Sequence, residues 1–268
     1  MKTSFLLIAG VCLWLVGFPQ GLRADVVACF CALDADIDAL KKAADRPAVV
    51  MRVGGSSVLR MTFGPHTVLA VKMGSGAVQT AMSAEALLGR QKVDLALSTG
   101  PVGGITDRAM VGKWYRVERV IAWQSGSHGS TGFARGEQAE KNLEAATATK
   151  APVPKGWENV EALSVASGEV FVASNAFRSQ LAAESGCDAV DMNLFGLLTV
   201  CEAHQVPLAA WRVVSDRADD EAGAVFRAFS AEYDGAGGTM LAEWIRGLPI
   251  GKQHPEAYPA LKEALEGR

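Results

Sequence analysis

The sequence predicts an α/β protein, a single domain with a mixed, mostly parallel central sheet flanked by helices. Three features predict it. Apolar runs of strand length, among them Asp25 to Leu33, Val93 to Ser98 and Leu208 to Val214, are near-continuous, as strands covered on both faces require. Stretches of helical period lie between such runs; Leu194, Leu197, Leu198 and Cys201 fall at the i, i+3, i+4, i+7 spacing of a buried stripe. The runs end in polar or glycine-rich residues, and ligands of parallel α/β sheets sit outside the carboxyl ends of the strands. A chain of 268 residues, 49% of them hydrophobic, can bury such a core.

Residues 1–24 read as a segment outside this fold. Lys2 precedes an apolar run from Phe5 to Phe18, followed by Pro19 and a short polar stretch to Ala24. A cationic start, an apolar run short for a membrane span and a small final residue describe a cleaved signal peptide. The expectation is an exported chain, periplasmic or secreted, with a mature domain of 25–268 in an oxidising setting. Cys29, Cys31, Cys187 and Cys201 remain after cleavage. Two share one face of a strand and Cys201 lies on an apolar stripe, so buried thiols are expected.

The first strand runs into Asp34-Ala35-Asp36-Ile37-Asp38 and a helix to about Ala44, whose acidic first turn suits capping and the helix dipole. Val49 to Val53 and Ser57 to Met61 flank Gly54-Gly55 as a hairpin. Thr67 to Lys72 is a strand. Met73-Gly74-Ser75-Gly76 is then a loop able to offer amide groups to an anion or a ribose hydroxyl, and Ala77 to Arg90 a helix. After Val93 to Ser98, the glycines of Thr99-Gly100-Pro101-Val102-Gly103-Gly104 turn the chain or line a pocket. Trp114 to Trp123 supplies another strand. Gln124 to Gly132 reads as a mobile loop with an exposed His128, and a short helix is expected over Glu137 to Ala146. Ala162 to Ala166 is a strand, Ala189 to Asp191 a short strand end, and Leu194 to His204 a helix. Gly235, Gly237 and Gly238 divide the helical stretch Glu221 to Arg246 by a kink or into two helices.

Composition narrows the function. A net charge of −3 with no basic block argues against a nucleic-acid partner. Four histidines, none at metal-ligand spacing, give no metal site. The Met73 to Gly76 loop is neither a Walker sequence nor Gly-x-Gly-x-x-Gly, and no cofactor is expected.

Chemistry concentrates at two strand ends joined by one crossover: Asp191-Met192-Asn193 and Ser215-Asp216-Arg217-Ala218-Asp219. With Val206-Pro207 between them, these resemble the signature of the nucleoside phosphorylase/nucleosidase superfamily, most nearly that of methylthioadenosine/S-adenosylhomocysteine nucleosidases. That family has Met-Glu at the first strand end and Ser-Asp-x-Ala-Asp at the second. Three further motifs follow family order. Ala32-Leu33-Asp34-Ala35-Asp36 matches an Ala-Met pair and acidic run, Thr99-Gly100-Pro101-Val102-Gly103-Gly104 matches Thr-Gly-x-x-Gly-Gly, and Ser167-Gly168-Glu169-Val170-Phe171 matches Ser-Gly-Asp-x-Phe. Asn193 departs, standing where the family has Glu.

The resemblance implies hydrolysis of the N-ribosidic bond of a purine nucleoside, with no cofactor and a homodimeric assembly. It assigns Asp216, oriented by Ser215, to protonate the purine ring nitrogen and Asp36 to position or deprotonate water. Phe171 would stack on the base while Val172 offers it backbone bonds. Met192 would pack on the ribose, Asn193 would bond its hydroxyls, and Gly100 and Ser75 would line the pocket. Two alternatives stay open: a phosphate-dependent phosphorylase, and an exported nucleoside-binding or storage protein without catalysis. Phosphorylases of the superfamily typically place an Arg near this strand end to hold phosphate; here the first nearby Arg is Arg108, beyond the glycines, which tilts the choice toward hydrolysis.

Overall fold

A computed structural model describes residues 26–130, 132–143, 157 and 159–248. The proposed export signal lies outside the described residues. The chain runs β1 (Val26–Cys31), α1 (Asp34–Ala43), β2 (Val49–Val53), β3 (Ser56–Phe63), β4 (His66–Lys72), α2 (Ala77–Leu88), β5 (Leu95–Gly104) and β6 (Trp114–Ala122). It continues through β7 (Gly126–Gly129), β8 (Gly132–Arg135), β9 (Glu140–Asn142), β10 (Ala162–Ser167), α3 (Asn175–Ser185), β11 (Ala189–Asp191) and α4 (Leu194–Ala203). The last described elements are β12 (Leu208–Asp216), α5 (Ala222–Glu232) and α6 (Ala236–Arg246).

The main sheet has the order β11-β10-β6-β12-β5-β1-β4-β3-β2, with β9 paired to β6. A further pairing of β11 with β5 closes β5, β12, β6, β10 and β11 into a ring. The sheet is mixed, without the parallel majority the sequence suggested. Pairs β1–β4, β1–β5, β5–β12, β6–β10 and β10–β11 are parallel, whereas β2–β3, β3–β4, β5–β11, β6–β12 and β6–β9 are antiparallel. Strand direction depends on the connection: the tight turns at Gly54-Gly55 and Gly64-Pro65 can only make antiparallel neighbours.

Apolar residues on both sides of β1 explain why its run is unbroken. Ala28 and Phe30 enter one core, where α2 packs on α4. Val27, Cys29 and Cys31 enter the other, with α1 packed on α6. All nine residues of β12 are buried, as expected of a central strand. The four described cysteines are buried free thiols, and burial raises each thiol pKa, which makes them poor nucleophiles.

Three local expectations give way. The stretch read as a loop from Gln124 forms the exposed hairpin β7–β8, whose polar and glycine-rich residues carry no buried face to reveal it. The expected helix over Glu137 to Ala146 is a single 3-10 turn, Glu137–Ala139, followed by β9; its remainder lies outside the described residues. The glycines after Ser98 do not turn the chain. They extend β5 to Gly104, because β12 and β11 pair along that length. The C-terminal helices separate as expected at Gly235, whose φ of 83° lies in the left-handed region that glycine adopts without strain.

Candidate active site

A cavity of about 300 Å³ opens at the carboxyl ends of β1, β4, β5, β10, β11 and β12. Ser75, Phe171, Val172, Met192, Asn193, Ser215 and Asp216 line it, so most of the expected site converges. Asp36 and Gly100 do not line it. Gly100 is buried within β5, and a Cβ there would sit 2.6 Å from the Ala32 Cβ; its bareness lets β5 approach the wall that Ala32 forms.

Asp216 is 2% exposed and held at both oxygens. Ser215 Oγ donates to Oδ2 at 2.7 Å and the Ala218 amide donates to Oδ1 at 2.9 Å. The β5–β12 register shifts between Val214 and Asp216, so Ser215 sits at an irregularity that turns the strand end toward the cavity. Ala218 has φ of 51°, a left-handed conformation costing an alanine about 1 kcal/mol. The amide of Ser174 donates to its carbonyl at 3.2 Å and helps hold it there. Burial raises the Asp216 pKa, against the lowering effect of its two hydrogen bonds, and so favours a carboxyl that keeps its proton.

Phe171 faces the same cavity, 43% exposed, with its ring centroid 5.7 Å from that of Phe226. Its loop is tied down just before it. The Glu169 amide donates to Gln124 Oε1 at 2.7 Å, and the Glu169 carboxylate accepts from the Val78 amide in the first turn of α2 at 2.9 Å. Val172, next in sequence, is buried.

Asn193 stands at the first position before α4 but does not cap it. The capping acceptor is Asp191, which takes the Leu194 amide at 3.1 Å. The Asn193 amide nitrogen instead donates across to Gly74 O at 2.5 Å and to Thr80 Oγ1 at 2.8 Å.

Sequence reasoning missed a buried polar layer next to the cavity. Arg212, in the middle of β12, is 1% exposed; its Nε lies 3.6 Å from Asp191 Oδ2, and its other nitrogens donate to Trp211 O at 2.9 Å and Ser98 Oγ at 3.2 Å. Burial pushes both members of the pair toward neutrality, and their mutual attraction opposes it. A guanidinium inside an otherwise apolar strand was the available signal, since a charge there needs a partner. Asp36 belongs to this layer and is fully buried. Its Oδ1 accepts from Tyr233 Oη at 2.7 Å and the Gly238 amide at 2.9 Å. Its Oδ2, like Thr99 Oγ1, is buried without a hydrogen-bond partner among the described residues. Burial raises the Asp36 pKa, opposed chiefly by the Tyr233 bond.

A strand-end cavity that holds an aromatic ring and a buried carboxyl with a raised pKa is a candidate small-molecule site of an α/β protein. The chain belongs to the phosphorylase superfamily, whose family model matches residues 26–244. It is 28% identical over 189 residues to the 5′-methylthioadenosine/S-adenosylhomocysteine nucleosidase of Actinobacillus succinogenes, covering 66% of this chain and 80% of that one. The nucleosidase of the same name from Bacillus cytotoxicus is 27% identical over 196 residues, covering 68% and 82%. In fold it is similar to futalosine hydrolase of Helicobacter pylori, with a TM-score of 0.74 at 18% identity over 84% of this chain and 99% of that one. The S. pneumoniae 5′-methylthioadenosine/S-adenosylhomocysteine nucleosidase bound to a transition-state inhibitor gives 0.71 at 20% identity, over 84% and 100%.

Proposed function

We infer that this protein is a purine nucleosidase of the methylthioadenosine/S-adenosylhomocysteine type, hydrolysing the N-ribosidic bond. One observation carries the reading: Asp216, buried and favoured as the protonated acid, faces the cavity that also holds Phe171 and Met192. Expulsion of a purine from a sugar that becomes an oxocarbenium ion needs a proton on the leaving base and relief of positive charge on the ribose. The Asp216 carboxyl gives its proton to a ring nitrogen as the bond to C1′ breaks, while Ser215 and the Ala218 amide hold its oxygens. Water then adds to C1′ and loses a proton. Asp36 is the group the resemblance assigns to that water; it lies in the buried layer next to the cavity, and its Oδ2, unpartnered among the described residues, is the atom that supports the assignment. Phe171 stacks on the base, Val172 offers backbone bonds, Met192 packs on the ribose and Asn193 accepts from its hydroxyls.

The test is release of free base from a panel of purine nucleosides in phosphate-free buffer. Release only with phosphate, with ribose 1-phosphate as product, overturns hydrolysis in favour of phosphorolysis. A second reading, a non-catalytic nucleoside-binding protein, is favoured by the neutral Asn193; tight nucleoside binding without base release would establish it.

Export and dimerisation belong to the same proposal. Intact mass of exported protein should show a chain beginning at or near Asp25. Exposed apolar side chains, Val78 and Met82 on α2 and Met110 and Val111 between β5 and β6, support self-association, and light scattering should give twice the monomer mass.

A further inference from the structure

The amide of Asn193 has only one arrangement that its surroundings allow. Gly74 O is a carbonyl and can only accept, so the group facing it at 2.5 Å must be the NH2. The second hydrogen of that NH2 goes to Thr80 Oγ1, whose own hydrogen goes back to Gly74 O at 3.2 Å. Thr80 is fully buried in α2 and is not among the cavity-lining residues. Both donors of Asn193 are therefore used inside the protein, and its Oδ1 is the polar atom left for the cavity that Asn193 lines.

We propose that Thr80 is a positioning residue that locks Asn193 as a neutral, acceptor-only group, so that the sugar subsite selects nucleosides offering a hydroxyl donor. This rests on the nucleosidase reading and extends it to sugar selection. A substrate bearing only an acceptor at that point, such as a fluorine or a ketone, would meet an oxygen and be rejected. The same lock accounts for the absence of a carboxylate. An ionised Asp, of the same shape as Asn, would turn an oxygen onto Gly74 O where a donor now stands, so its negative charge conflicts with the frame around it.

Three forms of the chain test this in an Asp216→Asn background, which keeps ligands intact during the measurement: the parent, Thr80→Val and Thr80→Ser. The probes are adenosine, 2′,3′-dideoxyadenosine and adenine. Thr80→Val should weaken adenosine about fivefold, the size of one neutral hydrogen bond, and leave dideoxyadenosine and adenine unchanged; Thr80→Ser should keep the parent pattern. Independently of any ligand, the Asn193 side-chain NH2, assigned by its loss in Asn193→Ala, should exchange slowly in the parent and Thr80→Ser and faster in Thr80→Val. Equal losses for adenosine and adenine would show only a distorted pocket and overturn the proposal, as would NH2 exchange unaffected by Thr80→Val. Failure of every form to bind adenosine, with the expected exchange pattern, would sink the nucleoside reading and leave the lock standing.

Discussion

Replacing Asp216 by Asn removes one ionisable proton and leaves nearly the same shape, so the local network can be followed atom by atom. The Asn oxygen can keep the Ala218 amide now at 2.9 Å from Oδ1. Its NH2 then faces Ser215 Oγ, which can accept while turning its own hydrogen to Val102 O, already 3.1 Å away. Ser215 Oγ takes one NH2 hydrogen and solvent in the cavity that residue 216 lines takes the other, so the roughly 1–3 kcal/mol that stranding a donor costs is avoided. The pH dependence has a definite sign. Burial raises the Asp216 pKa, so the folded chain binds this proton more tightly than the unfolded one. The stability from this group is full below the ordinary carboxyl value and lost as pH rises through the raised folded value. Asn does not ionise and escapes that loss. Asp216→Asn should therefore melt at or above the parent temperature at neutral pH, with the advantage vanishing toward acid. Turnover should move the opposite way, falling about 100-fold or more, the usual scale for a lost general acid. Parent turnover should itself decline as pH rises through the same titration. Base release and thermal melts across pH measure both quantities. Near-normal turnover in the variant would refute the acid role, and a melting point well below the parent at neutral pH would refute the network argument.

Other perturbations bear on the rest of the site. Phe171→Ala should weaken purine binding by about 1–3 kcal/mol, the scale of base–aromatic stacking, with little change in stability because the ring is 43% exposed; unchanged affinity by calorimetry would detach Phe171 from the base. Arg212→Met strands the buried Asp191 carboxylate and should cost about 3–5 kcal/mol in urea unfolding. A loss under about 1 kcal/mol would mean that the pair is not a charged one. A Cβ on Gly238 would lie 2.0 Å from the Asp36 carbonyl oxygen, so Gly238→Ala must push α6 off α1. Thermal unfolding should show a loss of about 1–3 kcal/mol, the cost of overpacking, and an unchanged melt would contradict the close approach.

Much of the site was legible because its residues sit at the ends of apolar runs. Met192, Asn193, Ser215 and Asp216 follow two strands joined by one crossover, and Phe171 follows a third. Strand ends that share a sheet edge face one crevice, so local pattern placed the two strand ends together, while the family resemblance placed Phe171 with them. The main helices were legible for a similar reason, since the 3.6-residue period is written along the chain, whereas the glycine-rich end of β5 and the polar hairpin carry no such period. Sheet direction was not, because an apolar run reads alike in parallel and antiparallel company.

What only the tertiary structure decided is which polar groups face one another. Asn193 at the start of a helix looks like a cap, yet its amide crosses to Gly74 and Thr80, more than a hundred residues earlier. Asp36 looks like one of several first-turn acids on α1, but Tyr233 and Gly238, at the far end of the chain, claim one of its oxygens. Arg212 announces that a charge is buried without naming Asp191 as its partner. Periodicity tells which side of an element is covered. The partner of a buried donor or acceptor depends on how distant elements pack, and most such groups find theirs there.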